Sequence, residues 1–411
     1  MAILVGDTGD LHLTEGARFA DTVRVLDWIA EDGEARGVQL WLVGGDLVGT
    51  HDVPHVATER ERDYLDRWFQ RLARQAPVII LKGNHDSGSD ILGYGRLEAT
   101  HTIRVVAAPE AVTLRLNALD PDNAIDVVVF CMPYQHKTDV LAGPAGTIRE
   151  QNEDAAAVLR AQLAAWEAVP STGPRLYFGH HNVRGCLTAG DEVMAHKEVE
   201  LTTEDLDGFS ADFCALSHIH LHQQVGRRAY YAGSPSAQSF GESDEKGYVI
   251  AEVTAGADPI IHRRPTPARR LVTVQARWVE VGNRWQWLAD ADADIASLPP
   301  GAEVRLSVEV PEDAAGSCPI DELKDRFAAA AHTVVVNRTI VPRNRVRSEA
   351  ICAARTDGER LEAWWETLDQ PPTDAARERL LGRAAELAAE IAGVAIAADD
   401  EPLPTEEGVA A

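Results

Sequence analysis

Short apolar runs, each closed by a polar cluster, punctuate the first part of the chain, to about residue 260. Ile3-Leu4-Val5 leads to Asp10-Leu11-His12, and Leu40-Trp41-Leu42-Val43 leads to Gly44-Gly45-Asp46. Pro77-Val78-Ile79-Ile80-Leu81-Lys82 ends in Gly83-Asn84-His85-Asp86. Arg175-Leu176-Tyr177-Phe178 ends in Gly179-His180-His181, and Phe213-Cys214-Ala215-Leu216 in Ser217-His218-Ile219-His220. Runs this short and this apolar read as buried strands. Between them, Phe19, Val23, Leu26 and Ile29 fall at helical spacing, as do Tyr64, Trp68 and Leu72, and later Leu159, Leu163 and Trp166. Strands alternating with helices predict an α/β fold with helices on the sheet faces. Further strand-like runs over Asp126 to Cys131, Ala111 to Leu116 and Ala229 to Ala232 predict that the sheet is mixed.

The pattern then changes. His262 to Arg270 is basic and broken by Pro265 and Pro267, which reads as a linker. A smaller α+β unit follows, with strands expected over Leu271 to Val281, Glu303 to Val310 and Thr333 to Val336 and a helix over Asp321 to Ala331. The end is helical. Leu361, Trp364, Trp365 and Leu368 form one apolar stripe; after Pro371 and Pro372, Leu380, Ala384, Leu387 and Ile391 form a short coiled-coil-like seam. These shifts divide the chain into residues 1–262, 271–347, 350–396 and an acidic tail, 397–411, expected to be disordered.

Composition narrows the class. The 411 residues suffice for two or three domains with a real core. The five cysteines are scattered and form no C-x-x-C, which argues against disulfides or a zinc knuckle and fits a reducing cytoplasm. The first residues run straight into a strand with no basic region, so no signal peptide is expected. Nor does any apolar run approach the roughly 20 residues that span a bilayer. A formal net charge of -26 argues against general electrostatic binding of nucleic acid. It leaves a phosphate substrate open, because bound cations would invert the sign of a site locally.

Asp10, His12, Asp46, Asn84, His180, His218 and His220 are the candidate metal ligands. Carboxylate, imidazole and amide donors without cysteine suit Mn, Fe or Zn at a working site. The intervals from Asp10 to Asp46 and on to Asn84 each fit one strand-helix-strand unit. Successive ligands then emerge at the carboxyl edge of a parallel sheet, where α/β proteins place their sites. In the pairs at 10/12 and 218/220, alternate side chains of an extended segment point the same way.

The series D-x-H, G-D, G-N-H-D, G-H and H-x-H resembles the calcineurin-like metallophosphoesterase superfamily. Ala232-Gly233-Ser234-Pro235-Ser236-Ala237-Gln238-Ser239-Phe240-Gly241-Glu242, followed by Glu245-Lys246-Gly247, resembles the matching segment of SbcD-type DNA repair exonucleases. Ser217 departs from the pattern, which usually has glycine before H-x-H. The resemblance implies a two-sheet α/β sandwich core, a small α+β capping domain that meets DNA, and C-terminal helices. It implies two divalent metal ions, most often Mn2+, with Asp46 bridging. Asp10, His12 and His220 would complete one site, and Asn84, His180 and His218 the other. Such a pair lowers the pKa of a water toward about 7 and clamps both oxygens of an in-line displacement. His85 is the implied general acid, and Asp86 is implied either to orient it or to support the ligands from behind. His181 and Arg184 are candidates to face substrate, and the clusters Arg263, Arg264, Arg269, Arg270 and Arg343, Arg345, Arg347 to face DNA. The implied activity is exonuclease and endonuclease cleavage of DNA. The implied partners are a second copy of the chain, as a homodimer, and an SbcC-like SMC-family ATPase gripped by the C-terminal seam. A phosphodiesterase for small or nucleotide substrates is the alternative.

Overall fold

The computed structural model describes residues 1–49, 55–117, 122–141, 147–188, 199–288, 291–342, 349–368 and 371–399. Two six-stranded sheets form the core. The first runs in the order Ile260–Pro265, Gly247–Thr254, Ala2–Thr8, Leu40–Val43, Val78–Leu81, Ile103–Val106, and the last four are mutually parallel. The second runs Gln223–Gln224, Ala229–Tyr231, Phe213–Ser217, Arg175–His180, Ile125–Met132, Glu110–Leu116, with antiparallel strands at both edges. The mixed character expected from the sequence is present in both.

Strand periodicity builds the layers. Ile3, Val5, Leu40, Leu42, Ile79 and Leu81 share one core cluster with Val127, Val129, Leu176, Phe178, Phe213 and Ala215 of the other sheet. The alternate residues face outward: Trp41, Val43, Val78 and Ile80 pack with the helices Phe19–Arg36 and Glu59–Gln75, and Phe130, Met132, Tyr177 and Leu216 with Ile148–Glu167. The period of two thus divides each strand between two cores. Helix ends obey local chemistry. Thr58 and Thr147 each make a capping box, with Glu61 and Glu150 three residues on. The first helix stops at Gly37, whose φ of 73° is left-handed. Its Gly33 admits the Trp41 indole, since a Cβ there would lie 2.2 Å from the ring.

The stretch read as a linker is a strand as far as Pro265, pairing antiparallel with Gly247–Thr254. Arg264 is bidentate to Asp32 at 2.9 Å, Arg269 pairs with Asp21, and Arg263 and Arg270 donate to the carbonyls of Glu245 and Ser243. These four arginines fasten the connection to the core. Arg343, Arg345 and Arg347 lie outside the described residues.

A third, four-stranded sheet runs Arg284–Trp287, Leu271–Val281, Glu303–Pro311, Thr333–Val341. Its short edge strand Arg284–Trp287 and the helix Ala291–Ser297 were not expected from the sequence. The helix Ile320–Ala328 buries Leu323 and Phe327. By contact density the chain divides into two compact units, 1–309 with 318–339, and 310–317 with 340–411. The second holds the helices Glu349–Ala353, Asp357–Trp365 and Asp374–Asp399; Trp365 is buried there, while Leu380 and Leu387 are exposed. The expected tail lies outside the described residues from 400 onward. Among the described residues no helix is long and apolar enough to cross a membrane.

Candidate metal centre

All seven expected ligands follow the carboxyl ends of strands, or stand at them, in the two packed sheets. Asp10, His12, Asp46 and Asn84 come from the first sheet, and His180, His218 and His220 from the second. Two groups result. Asp10, His12 and His220 present donor atoms within 4.8 Å of one another, as do Asp46, His180 and His218. Asn84 Oδ1 lies 3.0 Å from both His180 Nε2 and His218 Nδ1. Asp46 Oδ2 sits near both groups, 3.9 Å from His12 Nε2 and 3.5 Å from His180 Nε2.

The backbone fixes these positions at some cost. Asp10, His12, Asp46 and His218 have φ values of 51°, 44°, 49° and 93°, a region that side chains avoid unless the surroundings impose it. Ser217 is not among the positive-φ residues; the left-handed turn falls on His218 instead. Ser217 fits because its neighbours are small: a Cβ on Gly44 would fall 1.7 Å from Ser217 Oγ.

The histidine tautomers suit a cation at the centre. His12 Nδ1 lies 3.0 Å from the Gly49 carbonyl, and His180 Nδ1 contacts the Gly44 carbonyl. A carbonyl only accepts, so each Nδ1 carries a proton, and in the neutral, cation-binding ring each Nε2 carries the lone pair. His220 Nδ1 faces the Glu242 carboxylate at 3.6 Å, which sets its tautomer in the same way. The lone pairs of His12 and His220 Nε2 then oppose each other 3.2 Å apart. That of His180 faces Asn84 Oδ1. Acceptors aimed at acceptors in a buried site are stable only around a shared proton or a cation. The residues present therefore fit a pair of divalent ions.

Electrostatics agree. Burial alone would raise the Asp46 carboxyl, but His180, His12 and His85 outweigh it and hold Asp46 well below the ordinary carboxylate range. Burial would lower His180, but Asp46 and Asp10 raise it to about 9. Asp10, whose carboxylate accepts the His218 backbone N–H, is raised chiefly by burial.

The other expected residues divide. His85 stands at the rim, its backbone N–H donating to Asp46 Oδ1 at 2.9 Å and its Nε2 4.0 Å from Asp46 Oδ2. Of the two roles expected for Asp86, its contacts fit support of the ligands from behind. Its carboxylate accepts the backbone N–H groups of Gly83, Asp46 and Leu47 at 2.8, 2.8 and 2.9 Å, tying together the loops that carry Asn84 and Asp46. Burial and the Asp46 charge raise it to about 6. His181 turns away from the cluster: Tyr177 donates to its Nε2 at 2.7 Å, its Nδ1 donates to the Asn182 carbonyl, and burial lowers it to about 4. Arg184 is engaged with Glu153 at 2.9 Å and Glu200 at 3.5 Å. His181 is held in the interior, while Arg184 stays partly exposed.

Two contributors had no assigned role. Glu242 accepts from the backbones of Gln238 and Ser239 and pairs with buried Lys246 at 2.6 Å, while holding His220. Its only signal was the S-F-x-E…K-G spacing. Tyr134 stands 5.7 Å from the His218 ring and 6.1 Å from that of His180. Its signal was another polar and aromatic cluster, Tyr134-Gln135-His136, just beyond a strand end.

Comparison with known proteins accords with this geometry. The profile of the family described as calcineurin-like phosphoesterase matches residues 4–222. The chain is 23% identical over 389 residues to the SbcD subunit of nuclease SbcCD from Escherichia coli K12, covering 85% of this chain and 87% of that protein. The same figures hold for the protein of that name from Escherichia coli O157:H7. Among solved structures, a dimetal phosphatase from Danio rerio aligns over 64% of this chain and 99% of its own, at 13% identity and a TM-score of 0.35. The profile spans more than half of the sequence: this chain belongs to the calcineurin-like phosphoesterase family and is a metal-dependent phosphoester hydrolase.

Proposed function

We propose that the chain is a DNA exonuclease and endonuclease that works with two divalent ions, Mn2+ first among them, and with an SbcC-like SMC-family ATPase in double-strand-break processing or recombination. The observation that carries this reading is the extent of its likeness to a nuclease subunit, 85% of the chain, which runs well past the 4–222 segment common to phosphoesterases. A cytoplasmic homodimer, with residues 271–347 as a DNA-facing cap and 350–396 as the ATPase-binding helices, completes the proposal.

In it, Asp10, His12 and His220 hold one ion, Asn84, His180 and His218 the other, and Asp46 reaches both. The ions supply an activated water nucleophile and neutralise charge at phosphorus. The protein's own part is positional. The Gly49 and Gly44 carbonyls keep Nε2 of His12 and His180 turned to the centre. Asp86 fixes the two loops that carry Asp46 and Asn84. His85, at the solvent side with 15% of its side chain exposed, donates the proton to the leaving oxygen.

One observation favours the alternative, a phosphodiesterase for small substrates: Arg263, Arg264, Arg269 and Arg270 each turn at least one donor into the protein. Linear DNA and bis(p-nitrophenyl) phosphate, each with Mn2+, separate the two. The nuclease reading expects DNA cleavage, and is lost if only the small ester is hydrolysed even with the ATPase partner present.

A further inference from the structure

We propose that Lys246 is a positioning residue for one ion of the pair: it fastens His220, and so sets the affinity of the ion held by Asp10, His12 and His220 while leaving the other ion unaffected. The proposal rests on the ligand assignment given above. A lysine is costly to bury unless its charge is met. Lys246 has 3% of its side chain exposed, and its ammonium carries three N–H donors. Three oxygens surround it. Glu242 Oε2 lies at 2.6 Å, Asp244 Oδ1 at 3.1 Å, and the His220 carbonyl, which accepts from it, at 3.2 Å. Two carboxylates alone would meet the charge; the third contact reaches the backbone of a metal ligand.

The hold on His220 is double. While Lys246 occupies Glu242 Oε2, the other oxygen, Oε1, faces His220 Nδ1 at 3.6 Å and accepts the backbone N–H groups of Gln238 and Ser239 at 3.2 and 3.1 Å. The His220 carbonyl takes a second donor, the Ser234 N–H at 3.1 Å. The chain comes this close because residue 233 is glycine: its φ is 75°, and a Cβ there would lie 2.9 Å from that carbonyl oxygen. Gly233, Ser234, Glu242 and Lys246 belong to one short segment, and all four converge on His220. The other ion's ligands are held differently. His180 Nδ1 contacts the Gly44 carbonyl, and Asn84 Oδ1 lies 3.0 Å from His180 and His218. A backbone carbonyl keeps its place with the fold, whereas a buried carboxylate needs its counter-charge to stay where it is. Removal of Lys246 therefore tells on His220 and its ion.

The test titrates the full chain with Mn2+ and counts free ion by electron paramagnetic resonance, so that turnover is not the readout. Wild type takes up two ions. Lys246→Met takes up one as wild type does and the other about 10- to 100-fold more weakly, and excess Mn2+ restores it. Adding Lys246→Met to His220→Ala leaves the affinity of the remaining ion unchanged, which identifies the weakened one. Asp244→Asn/Lys246→Met removes a carboxylate together with the ammonium; it shows the same weakening of one ion and covers the case in which Lys246→Met, with its carboxylates unmet, does not fold. Two ions bound as in wild type, with only the denaturant melt of the metal-free protein lowered, overturns the proposal, as does equal weakening of both ions. Either result leaves the two-ion centre standing. Wild type that binds fewer than two ions overturns both.

Discussion

The Glu242 carboxylate lies 3.6 Å from Nδ1 of His220, on the side of the ring away from His12. Carboxylates behind ligating histidines fix the ring and raise its basicity. Glu242→Gln keeps the shape and loses the charge, while Lys246 retains Asp244 at 3.1 Å. Manganese affinity, measured by titration of free ion, falls about 10- to 100-fold, and excess metal restores turnover. Unaltered affinity would contradict the pairing's role.

Asp46 Oδ2 lies near both histidine groups, 3.9 Å from His12 Nε2 and 3.5 Å from His180 Nε2. Asp46→Ala lowers the bound metal from two ions per chain toward one or none and reduces kcat about a thousandfold or more, since charge stabilisation at such centres amounts to several kcal/mol. Metal content by elemental analysis, beside rates on a phosphodiester, checks this.

His85 contacts Asp46 but belongs to neither ligand group. His85→Ala therefore separates chemistry from binding: kcat falls about 10²- to 10⁴-fold while metal content stays at two. A substrate whose leaving group needs no proton, such as p-nitrophenolate, suffers less than DNA. Loss of metal with loss of rate would instead make His85 a ligand.

Much of this centre was legible because its chemistry is written at strand ends. An Asp, Asn or His directly after a buried apolar run has few structural uses, and the strand order then brings such ends together. Other parts were hidden for physical reasons. His262-Arg263-Arg264-Pro265 looked like a linker because an edge strand with one partner shows no apolar alternation and tolerates a terminal proline. The sequence leaves Asp86 between orienting His85 and supporting the ligands from behind; its carboxylate turns back to three backbone N–H groups, a choice that sequence order does not reveal. The tautomer-setting carbonyls of Gly44 and Gly49 leave no trace in side-chain identity at all.

Asp32 links that edge strand to the first helix. It accepts from Arg264, from Tyr248 at 2.8 Å and from Arg36 at 3.0 Å. Burial pushes its carboxyl up, but these hydrogen bonds outweigh burial and hold it below the ordinary aspartate value. A depressed acid stabilises the fold fully above its unfolded pKa and loses that contribution as pH falls through the folded one. Asp32→Asn thus costs about 1–2 kcal/mol at neutral pH, and the difference from wild type shrinks in acid below the ordinary aspartate pKa. Denaturant melts at neutral and acid pH measure both.

Anomalous diffraction from a manganese-soaked crystal addresses the centre itself. Two peaks are expected about 3.5–4 Å apart, one among Asp10, His12 and His220, the other among Asn84, His180 and His218, with the Asp46 carboxylate between them. A single peak, or manganese bound elsewhere and none among these side chains, contradicts a bridged two-ion centre.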